Sequence, residues 1–422
     1  MSNFLKNYGS TLLLLGGIVA GGLCGLLSAE AGHVLKPVGD LFLNLIFVLV
    51  VPLVFFSIAS SVYGMTESRM LGKTLLGIVA VFVGMSVVAG IVSYLACLAY
   101  NPLGDVDRAS LLQNLPPQQS DRSESFGNLA VRALTVSDFG LLLSKSALLP
   151  LIVIAALTGY ATSKTGEKGK TAASFVDSAL AVTLKMMGMI MRFAPVGLGC
   201  YFASTAASLG GGFVTGYARS LVLYVAILAT IYFILHSIYI LTARGWNGLA
   251  LYWKNMIAPS VTAVATCSSA ATMPVLIDSA KRMGVSQTIA ESVIPLGINL
   301  HKDGSVVSST IKAVFLMSLF SRSIATPSAA LGIMAIAILS AAVIGAVPSG
   351  GMAGEIFICS MMGFSPEMVG VIVVMGTLFD MPATLLNISA NGVGAVLVDR
   401  LVSRRASDQA AGTSTSARLR SS

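Results

Sequence analysis

The feature that most constrains this chain is the recurrence of long uncharged apolar runs, at about 11–28, 41–66, 74–104, 146–163, 193–218 and 220–243. Each is long enough to cross a bilayer as a helix, which needs roughly 20 apolar residues. Such runs cannot all be hidden inside one soluble core. The composition agrees: 55% of the residues are hydrophobic, 10% are charged and the mean hydropathy is +0.85. A polytopic all-α membrane protein follows. The first run is read as a retained span and not as a cleaved leader, because the chain stays apolar well beyond it.

The net charge of +8 sits partly in the tail after Asp399 and partly in short loops, 69–73 and 164–170. This pattern fits cytoplasmic loops under the positive-inside rule better than a nucleic-acid surface. The polar loop 105–132 carries four acids against three arginines and is expected outside. Cys24, Cys97, Cys200, Cys267 and Cys359 show no paired spacing, so neither a disulfide framework nor a zinc site is expected.

The second half behaves differently. Asn255 to Ile277 holds Thr266-Cys-Ser-Ser-Ala-Ala-Thr-Met-Pro274 in its middle, and Ile324 to Gly354 holds Ala346-Val-Pro-Ser-Gly-Gly351 near its end. Polar and helix-breaking residues inside apolar stretches leave backbone groups that lipid cannot satisfy, so this backbone must line protein or a water-filled cavity. Each stretch precedes a long helix with buried polar residues, 288–321 and 368–398. Broken hairpin then polar helix, twice over, is the order expected of secondary transporters with sites at discontinuous helices.

Within the last helix, Asp380, Thr384, Asn387 and Asn391 recur every three or four residues and form one polar stripe. An ionisable group at that depth marks a binding site or ion pathway, with an interhelical hydrogen-bond seam as the bland alternative. The earlier helix carries Gly297-Ile-Asn-Leu-His301-Lys302-Asp303-Gly304. Here carboxylate, imidazole and carbonyls exposed by unwinding at Gly297 and Gly304 would supply a cation site, or else an inert internal salt bridge. His236 reads as a satisfied packing residue. Glu355 reads as a polar anchor, with a second proton carrier as the alternative. No serine–histidine, paired-aspartate or metal-ligand arrangement points to an enzyme. The tail 401–422, rich in Ala, Ser and Thr, is expected to be disordered.

The chain resembles the dicarboxylate/amino acid:cation symporter family, the glutamate-transporter fold. The resemblance is carried by Leu35-Lys-Pro-Val-Gly-Asp-Leu-Phe-Leu43 running into Val50-Val-Pro-Leu-Val-Phe55, and by Arg192-Phe-Ala-Pro-Val-Gly197. It continues through the hairpin tip 266–274, Pro295 to Ser305, Val347-Pro-Ser-Gly-Gly351 and Asp380 to Asn387. It implies eight transmembrane helices plus two re-entrant hairpins in an elevator-type homotrimer. Residues 1–250 would then be mainly scaffold, with the third span in the transport domain; 251–400 would be transport domain, and 401–422 a cytoplasmic tail of an inner-membrane protein.

The resemblance further implies that Asp380 receives an α-ammonium, while Thr384, Asn387 and the backbone at Ser268 and Ser269 hold an α-carboxylate. Cys267, Val347, Pro348, Ser349, Gly350 and Ala383 would line the same site. Gly297, His301, Lys302, Asp303, Asn387 and Asn391 would carry cation or proton coupling, with no resident cofactor and no assured metal site. Departures matter here. The arginine expected just before Thr384 is Ala383, which would leave a substrate's second carboxylate unpaired at a cost of several kcal/mol. A small neutral L-α-amino acid is therefore favoured over glutamate, aspartate or a C4-dicarboxylate, the last being repelled by Asp380. A second expected acid is Asn391, the threonine expected before the second tip is Ile344, and Lys302 beside Asp303 would take the place of a sodium. The sequence thus favours a proton over sodium as the coupling ion, with a passive channel on the same fold as the other class.

Overall fold

A computed structural model describes residues 2–67, 72–104, 135–144, 147–344, 351–365 and 368–420 of the 422. Among the described residues the chain is helical, without strands. The helices are α1 (Ser2–Leu27), α2 (Ala29–Glu67), α3 (Gly72–Ala99), the short α4 (Phe139–Leu142), α5 (Leu148–Lys164), α6 (Glu167–Ile190) and α7 (Ala194–Ala229). A π turn, Thr230–Leu235, leads into α8 (His236–Thr266). Then follow α9 (Ser269–Arg282), α10 (Gln287–Leu300), α11 (Asp303–Leu319), α12 (Pro327–Ile344), α13 (Gly351–Met361) and α14 (Met368–Arg420). Five of these stretches are long and apolar enough to cross a membrane, which makes this a multi-pass membrane protein.

Packing divides the helices into two groups. In the first, α7 lies along α1 and α2, and α2 also holds α5 and α6. Small residues make the α1–α7 seam possible: a Cβ on Gly17, Gly21 or Gly25 would collide with the backbone of Pro195, Gly199 or Ala203. Spacing by four aligns these glycines on one face, and close backbone approach replaces the hydrophobic effect that is missing between helices in lipid. In the second group α14 is the hub, packed by α8, α10, α11 and α13, while α3 lies against α11, α12 and α14.

Three sequence expectations change. The spans at 193–218 and 220–243 are not separated at Arg219. The helical path runs through it, with breaks at Gly210 (φ 73°) and Gly245 (φ 66°), backbone angles that a side chain disfavours. Arg219 is accommodated by laying its guanidinium over the Tyr100 ring, 4.4 Å from its centroid. Helix α6 was not anticipated as a span, because its Lys, Glu and Asp residues interrupt the apolar run that signals one. Finally, the backbone of α14 continues as helix to Arg420 where composition predicts disorder. Ala, Arg and Gln favour helix, and no proline interrupts this stretch.

The first broken element forms where it is expected. α8 ends at Thr266, Cys267 turns the chain in the left-handed region (φ 48°), and Ser268 caps α9 by accepting the Ala271 N–H at 3.2 Å. Where the second hairpin is expected, α12 packs against α13; the expected break and its predicted site residues Val347, Pro348, Ser349 and Gly350 lie outside the described residues. The break between α10 and α11 falls at His301, whose backbone is extended, and Lys302, whose backbone is non-helical (φ −138°, ψ 72°). Gly297 and Gly304 therefore do not unwind the chain. They are helical, and serve close packing against Asn391 and the Ala383 backbone respectively.

Candidate functional site

The polar stripe of α14 separates into two parts with different duties. Thr384 donates its hydroxyl to its own helix at Asp380 O, 2.9 Å. Asn387 Oδ1 accepts the Gly304 N–H at 2.9 Å and the Ser305 N–H at 3.3 Å, capping the start of α11. Asn391 Nδ2 donates to His301 O at 3.1 Å and to Asn387 O at 2.8 Å. These three residues are buried. Asn387 and Asn391 stitch α14 to the break between α10 and α11, while Thr384 is bonded within its own helix, so half of the stripe is the interhelical seam that the bland reading describes.

Asp380 is different: it is the stripe residue that stays exposed. Its electrostatic partners are two ammonium groups, Lys302 and Lys312. Lys302 in turn interacts electrostatically with Asp380, whereas the groups that act on Asp303 are His301, Ser86 and His236. Neighbouring residues at a helix start point in different directions, and here they serve different sites. Ala383 is buried, with its backbone against Gly304.

Asp303 lies in a closed box. Its Oδ1 accepts from Ser86 Oγ of α3 at 2.9 Å and lies 3.0 Å from His301 Nε2, off the line of a straight N–H bond. The His301 ring stacks on Phe82, 4.5 Å between centroids and 4° from parallel. His236 interacts electrostatically with Asp303, yet neither of its ring nitrogens has a hydrogen-bond partner among the described residues. It is therefore not the satisfied packing residue predicted. Asn391 Oδ1 is likewise buried without a partner. No group of three or more His, Cys, Asp or Glu that could hold a metal occurs among the described residues, and the five cysteines form no disulfide.

Of the remaining predicted ligands, Ser268 is committed to capping α9 and Ser269 is buried; their hairpin packs on α14. Sequence reasoning missed Tyr224 and Lys312. Tyr224 donates to Gly304 O at 3.1 Å and stacks on Phe379 at 4.5 Å, tying α7 to the α10–α11 break. A tyrosine hydroxyl in an apolar span needs a partner and gave a signal for Tyr224, though one shared with the other tyrosines of the same stretch, and a lone lysine in an apolar helix gave one for Lys312.

Comparison with known sequences sets this geometry in context. The profile of the Sodium:dicarboxylate symporter family matches residues 11–401. Among similar curated proteins are three C4-dicarboxylate transport proteins. That of Delftia acidovorans is 26% identical over 71% of this chain and 68% of its own length. That of Sphingopyxis alaskensis is 28% identical over 72% and 68%, and that of Bacillus subtilis 26% over 74% of each.

Proposed function

From the premise that this chain belongs to the sodium:dicarboxylate symporter family, and is a transporter and not an enzyme, we propose that it carries small dicarboxylates across the membrane together with a cation. The observation that carries this reading is the open Asp380 with two ammonium groups in electrostatic reach. The sequence reading counted Asp380 alone and expected it to repel an anion. With Lys302 and Lys312 present, the surroundings also attract one, and a cation arriving at Asp380 makes the site more favourable to a carboxylate. Binding of anion and cation thus support each other, which is the thermodynamic core of symport. The names of the similar proteins point the same way.

The coupling ion in this reading is the proton, with reduced sodium dependence. Sodium is held by oxygen lone pairs. Here His301 O and Asn387 O already receive Asn391 Nδ2, and Asp303 Oδ1 already receives Ser86 and faces His301. The elevator division into a scaffold of α1, α2 and α5–α7 and a transport body built on α3 and α8–α14 belongs to the same proposal. So do the homotrimer, the inner-membrane location and the cytoplasmic tail.

A neutral amino acid remains the second reading. The exposure of Asp380, which suits an α-ammonium, and the lack of an arginine at Ala383 favour it. Uptake of labelled succinate and labelled alanine into proteoliposomes separates the two. Concentrative succinate uptake supports the first, and alanine alone being accumulated overturns it. Uptake that never exceeds equilibrium would mark a passive channel. Titrating uptake against sodium at fixed pH, and against pH without sodium, tests the coupling ion; full sodium dependence without a pH effect sinks the proton.

A further inference from the structure

We propose that Lys312 and Glu355 form a second subsite next to Asp380, in which the Lys312 ammonium receives the distal carboxylate of a dicarboxylate substrate. The inference rests on the dicarboxylate reading above, and names the group that would supply the positive charge missing at Ala383.

Lys312 projects from α11 and Glu355 from α13. Lys312 Nζ donates to Glu355 Oε1 at 2.8 Å, with side chains 3% and 1% exposed. Both residues interact electrostatically with Asp380. The pair rests on α14 at Gly376. A Cβ there would run into Glu355 Oε1 and come 3.1 Å from Lys312 Nζ, so the glycine is what lets the two charges lie against the helix. Gly376 and Asp380 are four residues apart, on one face of α14, about 6 Å along its axis. The pair therefore sits one turn from the open carboxylate, a separation that a short dicarboxylate can span.

A purely structural role explains this pair poorly. Burying two charges costs as much as their attraction returns unless every remaining polar atom is satisfied. Glu355 Oε2 is buried without a hydrogen-bond partner among the described residues. An ammonium carries three donors, so Lys312 can keep Glu355 and still meet an incoming carboxylate. Glu355 then tunes the subsite, because its negative charge competes with the substrate for the same ammonium. On this view selectivity for a second carboxylate is set from α11 and α13, away from the position on α14 where the arginine is absent.

The test measures the KM for labelled succinate in proteoliposomes of the full chain, with each variant checked for a single symmetric peak on gel filtration. Glu355→Gln keeps the shape and removes the competing charge; succinate KM is expected to fall by roughly tenfold, the effect of about 1.4 kcal/mol. The double variant Lys312→Met/Glu355→Gln, which leaves no unpaired charge at the subsite, is expected to raise succinate KM by tenfold or more. If wild type accumulates succinate and both variants keep its KM, the subsite is wrong while the dicarboxylate reading stands. If wild type takes up no succinate, the reading falls and the subsite with it. Should the double variant fail to fold, Glu355→Gln alone decides, and an unchanged KM overturns the proposal.

Discussion

Asp303 and Asp380 are both carboxylates on helices of the same hub, and the structure treats them in opposite ways. Asp303 is 2% exposed and is met by Ser86 from α3 and by the imidazole of His301, itself clamped on Phe82. Asp380, on α14, is exposed and has charges near it in place of a closed set of donors. A carboxylate enclosed by donors holds elements together; one left open beside ammonium groups is available to something that comes and goes. The difference lies in the surroundings and not in the residue type.

The comparison breaks most readily at Asp380. Replacing it by Asn is expected to reduce uptake of the transported solute by about a hundredfold or more, the scale of losing an interaction with a charged group worth roughly 3 kcal/mol. Thermal stability should be retained, because no bonded partner is orphaned. Proteoliposome uptake together with a melting curve in detergent checks this, and a protein equally destabilised and inactive would erase the distinction.

Asp303→Asn should do the reverse first. It weakens the contacts to Ser86 and His301 inside a closed space, and is expected to cost roughly 2–3 kcal/mol, seen as a Tm lowered by several degrees. An unchanged Tm would mean that Asp303 is not structural in the sense argued.

Asn391→Leu removes the amide that holds His301 O and Asn387 O, at an expected cost of about 1–2 kcal/mol. If these carbonyls are thereby freed for a cation, uptake gains sodium dependence, which a sodium titration of the variant reads directly. The smallest effect expected is that of Phe82→Leu. Losing the stack on His301 should lower stability by roughly 1 kcal/mol and alter uptake less than any of the other three.

Much of this fold is legible in the sequence, and for clear reasons. The apolar runs announce membrane helices because lipid admits little else. The hairpin turn at Cys267 and Ser268 is marked by a serine cap after an apolar run, and the interruption at His301 and Lys302 by charges where a plain helix tolerates none. The site is less legible. The stripe Asp380, Thr384, Asn387 and Asn391 follows from helical periodicity, but periodicity cannot say that Asn387 and Asn391 bond to the neighbouring helices, that Thr384 bonds within its own, and that Asp380 stays exposed. Nor could adjacency in sequence say that Lys302 interacts electrostatically with Asp380. The pairing of Lys312 with Glu355 joins residues 43 positions apart, and no local pattern encodes it.

The sequence by itself determined the class of molecule and the break at the first hairpin tip, because those depend on the cost of polar backbone and charge in lipid, and that cost is set residue by residue; its motifs carried the resemblance to the family. The tertiary structure alone decided which polar groups are satisfied by one another and which stay available. Satisfaction depends on distances of about 3 Å between groups brought together from different helices, and a single helix does not contain that information.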